Sequence, residues 1–160
     1  YWESVVDINE YQKERFILGI LSAMFNTLAG KRVCLFGFAF KADTGDTRET
    51  PAFTIARRLV EEKADLVITD PKALANAKID LADVEGITYE PDPYKAAHGA
   101  DAIAVMTEWK LYTELDYKRI YDSMAKPAFI FDGRNILNHR LLHDIGFNVY
   151  PIGKPPLVHF

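Results

Sequence analysis

Val33-Cys34-Leu35-Phe36-Gly37-Phe38 is the stretch on which the fold turns. It follows Gly30-Lys31-Arg32 and shows no alternation of polar and apolar positions. A strand that is apolar on both faces must be covered on both faces, which is the situation of a parallel sheet between helical layers. The pattern recurs downstream. Leu66-Val67-Ile68-Thr69-Asp70 reads as a second strand stopped by Pro71, and Ile87-Thr88-Tyr89 as a weaker third. Ala102-Ile103-Ala104-Val105-Met106-Thr107, Ala128-Phe129-Ile130-Phe131-Asp132-Gly133 and Phe147 to Ile152 supply the fourth, fifth and sixth.

Helical sequence separates them. Thr50-Pro51 is an N-cap followed by proline at the first helical position, with Phe53, Ile55, Ala56, Leu59 and Val60 on one face behind it. A less regular, polar stretch runs from Pro71 to Glu85. Asp92-Pro93 opens a short helix through Ala97, a further helix spans roughly Asp116 to Met124, and another runs from Ile136 to Asp144 before Gly146. Unbroken apolar strands alternating with amphipathic helices predict an α/β fold, a Rossmann-like doubly wound sheet of about six mostly parallel strands. A long N-terminal helix is expected to precede it. From Glu3 to Leu28 there is no proline, and Val5, Val6, Phe16, Ile17, Ile20, Leu21, Met24, Phe25 and Leu28 recur mainly at spacings of three and four, up to Gly30. Such a helix, about 25 residues and roughly 37 Å long, exceeds what one domain needs. Its polar first half, with Asp7, Glu10, Lys13, Glu14 and Arg15, is expected to project toward a neighbour while the second half packs on this domain. The chain starts at Tyr1 rather than Met, so it is expected to be a piece of a longer one.

Composition narrows the function. The 160 residues carry 19 Lys plus Arg against 23 Asp plus Glu, a net charge of −4, which excludes a generally basic nucleic-acid binder. With 49% hydrophobic and 26% charged residues the chain is of ordinary globular type and has the length of one domain. Cys34 is the single cysteine, so an internal disulfide is excluded and a reducing, cytoplasmic compartment is expected. The uncharged stretch from Phe16 to Ala29 falls short of the roughly 18–20 apolar residues a bilayer span requires, and no signal peptide is recognisable, so no membrane partner is expected.

In an open α/β sheet, ligands bind beyond the carboxyl ends of the strands, near the point where strand order reverses. Those ends carry Gly37 to Thr50, Thr107-Glu108-Trp109 and Asp132-Gly133-Arg134-Asn135. Gly37 matches the first glycine of the G-x-G-x-x-G dinucleotide fingerprint. Ala39 and Ala42 stand in place of the second and third, and the next helix is delayed, so a standard NAD cradle is not expected here. The loop offers Lys41 and Arg48 instead, with Arg134 converging from the fifth strand, a set suited to a phosphorylated ligand. The competing reading is a set of surface ion pairs among Lys41, Asp43, Asp46, Arg48 and Glu49. His139 and His143 share a helical face, but Arg140 stands where the zinc-protease signature needs Glu, and no metal is expected. Cys34 reads as a buried hydrophobe, Asp70 as a ribose acceptor or a strand stop, and Trp109 as a core or interface aromatic. No nucleophile, base and orienter set is present, so no catalytic residue is assigned.

Taken together, the block from Gly37 to Thr50, Asp70-Pro71, Thr107-Glu108-Trp109 and Phe131-Asp132-Gly133-Arg134-Asn135 resembles the C-terminal, UDP-binding domain of the UDP-glucose 6-dehydrogenases, in the UDP-glucose/GDP-mannose dehydrogenase family. Asn9-Glu10-Tyr11-Gln12 with Arg15-Phe16 is similar to that family's link from its long central helix. The resemblance implies two parts, residues 1–29 from the central linking and dimerisation helix and residues 30–160 as the UDP-sugar-binding domain. It implies oxidation of the sugar C6 hydroxyl in two NAD-dependent steps through a cysteine-bound intermediate. NAD would then be held mainly by an upstream domain, which also supplies the catalytic Cys and its helper Lys, Asn and Asp, and Cys34 does not correspond to that nucleophile. Phe40 and Lys41 are expected to contact the UDP-sugar, Arg134 to reach its nucleotide end and Arg48 to touch NAD across an interdomain cleft. A dimer-based homo-oligomer is implied for the whole protein, with this part binding but not turning over. The same domain of a UDP-N-acetylhexosamine or GDP-mannose dehydrogenase, a non-catalytic assembly module, and a free-standing flavodoxin-like protein are the rival readings.

Overall fold

The computed structural model describes the backbone of residues 2–39, 42–45 and 50–159, with side chains from residue 13 onward. Six strands, β1 (Arg32–Phe36), β2 (Asp65–Thr69), β3 (Ile87–Tyr89), β4 (Ala102–Val105), β5 (Phe129–Asp132) and β6 (Asn148–Pro151), pair entirely in parallel in the order 3-2-1-4-5-6. The three central strands explain the sequence pattern. Every residue from Val33 to Phe36, from Leu66 to Thr69 and from Ala102 to Val105 is buried, as continuous apolar runs require in a doubly covered sheet. Strand order reverses between β1 and β4, the point near which open α/β sheets hold their ligands beyond the strand ends.

Helices α1 (Trp2–Ala23), α2 (Pro51–Glu61), α3 (Leu74–Asp80), α4 (Pro93–Ala97), α5 (Tyr117–Ser123) and α6 (His139–Ile145) connect or flank the strands. Helix α1 lies against α2, where Glu14 pairs with Arg58 at 2.6 Å, and α4, α5 and α6 pack in succession. Four helix starts are set by side-chain caps. Thr50, Asp92, Asp116 and Asn138 accept from the backbone N–H of Ala52, Tyr94, Arg119 and Leu141, with proline at the first helical position of α2 and α4.

Two expectations are corrected. The N-terminal helix ends at Ala23 rather than near Leu28, because Phe25 and Asn26 both turn left-handed at φ 64° and the Asn26 N–H closes back on the Leu21 carbonyl at 2.7 Å. Leu28 is still buried, but from the loop, while Ile17 and Ile20 bury the helix's second half in the common core, joined by Met24 just past its end. The polar stretch before Glu85 contains α3, which has no capping side chain at Ala73 and buries only Ala77, so neither signal for a helix was strong. A 3-10 turn over Lys110–Thr113 also went unread. Among the described residues no helix is long and apolar enough to cross a membrane.

Ile103, fully buried at the centre of β4 and in register with Cys34 and Ile130, measures the core. Ile103→Ala is expected to lower the unfolding free energy by about 2–5 kcal/mol through lost burial and a residual cavity. Urea unfolding should show a lower midpoint at unchanged slope.

Candidate functional site

The crevice is built by the segments leaving β1, β2, β4 and β5. Gly37 follows β1 with φ 102°, and a Cβ there would lie 2.5 Å from Cβ of Thr107 beyond β4, so the two segments touch only because residue 37 has no side chain. Gly133 after β5 is equally constrained, since its Cβ would meet the Val105 carbonyl oxygen at 2.8 Å. The same hypothetical Cβ lies 3.4 Å from Phe16, which brings α1 to this rim.

Asp70, just past β2, organises the loop after β1. Its Oδ2 accepts from the N–H groups of Phe38 at 2.7 Å and Ala39 at 3.0 Å and from the Trp109 indole at 3.2 Å, while Oδ1 accepts from the Lys72 and Ala73 N–H groups at 2.8 Å each. The carboxylate is buried and both oxygens are fully engaged. No capacity is left for a ribose hydroxyl, which settles the choice for Asp70 in favour of the structural role. Trp109 is likewise a core residue.

The Thr107-Glu108-Trp109 tripeptide ties down the same loop at three points. Thr107 donates its hydroxyl to the Ala39 carbonyl at 2.9 Å, Glu108 Oε1 accepts from the Ala42 N–H at 3.2 Å, and Trp109 reaches Asp70. Glu108 Oε2 lies 2.5 Å from Nη2 of Arg134, an ionic contact off the line of a well-directed hydrogen bond. Arg134 is also held by its backbone, whose N–H donates to Asp132 at 3.1 Å. Asp132 is fully buried and accepts from the Leu137 N–H at 2.9 Å, and Nε2 of His139 sits 2.8 Å from it.

Among the described residues, the backbone donors that a dinucleotide would use after β1 and at the start of α2 are already engaged. The Gly37 N–H bonds the Thr69 carbonyl, those of Phe38 and Ala39 bond Asp70, and at the start of α2 Pro51 has none while Ala52 donates to Thr50. A pyrophosphate cradle of the G-x-G-x-x-G kind rests on such free N–H groups. These described N–H groups are not free for an anion, which favours recognition by side chains.

Of the residues singled out in the sequence, Arg134 stands on the crevice rim about one-third exposed, at 38%. Phe40, Lys41 and Arg48 lie outside the described residues; the flanking Ala39, Ala42 and Thr50 belong to the hydrogen-bonded rim. Two of the three cations expected to meet on one edge therefore lie outside the described residues. The two histidines on α6 face different partners, His139 the Asp132 carboxylate and His143 the Val158 carbonyl at 3.1 Å. Cys34 is completely buried, and desolvation pushes its thiol far above the ordinary range, which removes it as a nucleophile. Glu108 and Asp132 were not read as anchors in the sequence. The available signal was an acidic residue at or shortly after the end of a buried strand.

The model of the UDP-glucose/GDP-mannose dehydrogenase family, UDP binding domain, matches residues 34–139. The chain belongs to this family. It is 48% identical to the UDP-glucose 6-dehydrogenase of Drosophila melanogaster over 96% of its length, and 46% identical to UDP-glucose 6-dehydrogenase 4 of Arabidopsis thaliana over 97%. It spans about a third of those relatives, 35% and 36% respectively. Among solved structures, a UDP-glucose dehydrogenase from the hyperthermophilic archaeon Pyrobaculum islandicum superposes with a TM-score of 0.74 at 28% identity, over 93% of this chain and 31% of that one.

Two outcomes check this geometry. Asp70→Asn removes the charge and turns an amide nitrogen toward backbone donors, so it is expected to cost about 3 kcal/mol, read by chemical denaturation together with a shift in Trp109 fluorescence. Cys34 is expected to resist thiol reagents in the native state and to react at the rate of unfolding, followed by mass spectrometry with and without urea.

Proposed function

We propose that this chain is the nucleotide-sugar-binding part of an NAD-dependent UDP-glucose 6-dehydrogenase, which oxidises UDP-glucose to UDP-glucuronate in two steps. The observation that carries the reading is the occupied backbone of the crevice: its loop amides serve Asp70, so the site suits recognition by side-chain cations rather than a dinucleotide cradle. Identities of 44–48% to UDP-glucose 6-dehydrogenases support this substrate over a UDP-N-acetylhexosamine or GDP-mannose. In this proposal Arg134, with Phe40 and Lys41, holds the UDP portion, and Arg48 contacts NAD, which is otherwise bound by an upstream domain. NAD supplies the hydride acceptor. Residues of this chain bind and orient the nucleotide, so that the sugar stays aligned through both oxidations. Residues 1–29 join residues 30–160 to the helical region through which the whole protein forms a dimer-based homo-oligomer, and the compartment is the cytoplasm.

Calorimetric titration of the intact protein with UDP tests the reading. Arg134→Ala is expected to weaken UDP binding by about tenfold or more, the loss of about 1.5–3 kcal/mol that goes with a charge-assisted hydrogen bond. Absence of heat with the unsubstituted protein would leave an assembly module as the better account. Comparing UDP-glucose, UDP-N-acetylmannosamine and GDP-mannose as oxidation substrates separates the three dehydrogenase readings.

A further inference from the structure

We infer that Glu108 is a positioning residue for nucleotide binding, presetting the Arg134 guanidinium against the loop that follows β1. The inference rests on the reading of the crevice as a UDP site.

Three observations converge on this residue. First, Glu108 is shared between two loops: Oε1 accepts from the Ala42 N–H at 3.2 Å, and Oε2 makes an ionic contact with Arg134 Nη2 at 2.5 Å. Second, Oε2 is itself out of contact with water and, among the described residues, has Arg134 as its one partner. Third, the residues on either side of Glu108 are immobilised, Thr107 on the Ala39 carbonyl and Trp109 on Asp70, so the carboxylate projects from a fixed point rather than from a mobile surface chain. Arg134 is thereby gripped at both ends, its backbone by Asp132 and its tip by Glu108. A guanidinium has five N–H donors in a rigid fork, and engaging one edge leaves the other available to oxygen ligands at a fixed height above the rim.

The alternative has the opposite sign. If Glu108 acted only as a negative charge beside an anion site, it would repel a diphosphate, and removing it would tighten binding. Both groups are about one-third exposed, which weakens such bare repulsion by solvent screening, whereas loss of orientation frees a long side chain over many rotamers. Orientation therefore dominates, and Glu108 helps a ligand of its own charge.

The experiment compares Glu108→Gln, Glu108→Asp and Arg134→Ala, alone and as the Glu108→Gln/Arg134→Ala double variant, in UDP titrations of the intact protein. NMR of the Arg134 side-chain N–H group reports its order without ligand. Glu108→Gln is expected to mobilise that group and weaken UDP binding roughly fivefold to tenfold, with Glu108→Asp partly restoring it. In the Arg134→Ala background the same change should have almost no further effect, because the two residues act as one unit. A merely structural role would instead lower stability and give additive losses. Unchanged or tighter UDP binding by Glu108→Gln, or an equally ordered Arg134, overturns the inference while leaving the crevice reading intact. Failure of the unsubstituted protein to bind UDP overturns that reading and this inference with it.

Discussion

The Asp70 carboxylate is the point on which the binding face depends. A bare carboxylate buried beside the switch point would cost several kcal/mol in lost solvation. Here four backbone N–H groups and an indole N–H replace the water, and each of them belongs to a segment that must be placed: Phe38 and Ala39 in the loop after β1, Lys72 and Ala73 before α3, Trp109 after β4. One side chain thus sets the relative positions of three connections beyond the strand ladder. Tyr112 adds a fourth constraint nearby, donating to the Thr69 carbonyl and stacking on Phe36 at 5.0 Å.

Asp132 repeats the device across the switch point. It too is buried at the end of a strand and accepts from the backbone of the segment that follows, Arg134 and Leu137. The two carboxylates act on different targets, since Asp70 fixes a loop that carries cations in the sequence while Asp132 fixes the backbone of Arg134 itself. Strand ends in a parallel sheet leave N–H donors pointing out of the ladder, and a short acidic side chain is the nearest group able to satisfy several at once. The charge of both carboxylates is used for architecture.

The sheet was legible because its signal is redundant. Val33 to Phe36 and Ala102 to Val105 are apolar at every position, and Thr50-Pro51 and Asp92-Pro93 mark helix starts by residue types with few other uses at such places. Helix α3 escaped notice because one buried alanine makes no periodic stripe. The end of α1 was misplaced because Leu28 keeps the helical spacing although it is buried from a loop, and Phe25 is an unexpected residue for a left-handed position. Within the site, residue type pointed to Arg134 but not to what holds it. Asp70, Asp132 and Glu108 work through contacts 26 to 66 positions apart or through turns whose geometry no spacing rule encodes, and so they became visible only once the strands were in register.

Holding an anion with side chains rather than backbone amides has a structural consequence. Loop amides can grip only a ligand that lies on the loop, as a dinucleotide does on its glycine-rich turn. A guanidinium carried on a flexible stem can meet a ligand away from the backbone, provided something prevents the stem from sampling its many rotamers. The Thr107-Glu108-Trp109 segment meets that condition here, with its two outer residues bonded into the buried rim and its middle residue turned toward Arg134. A binding face of this design can keep one part of a ligand while another part extends over the edge.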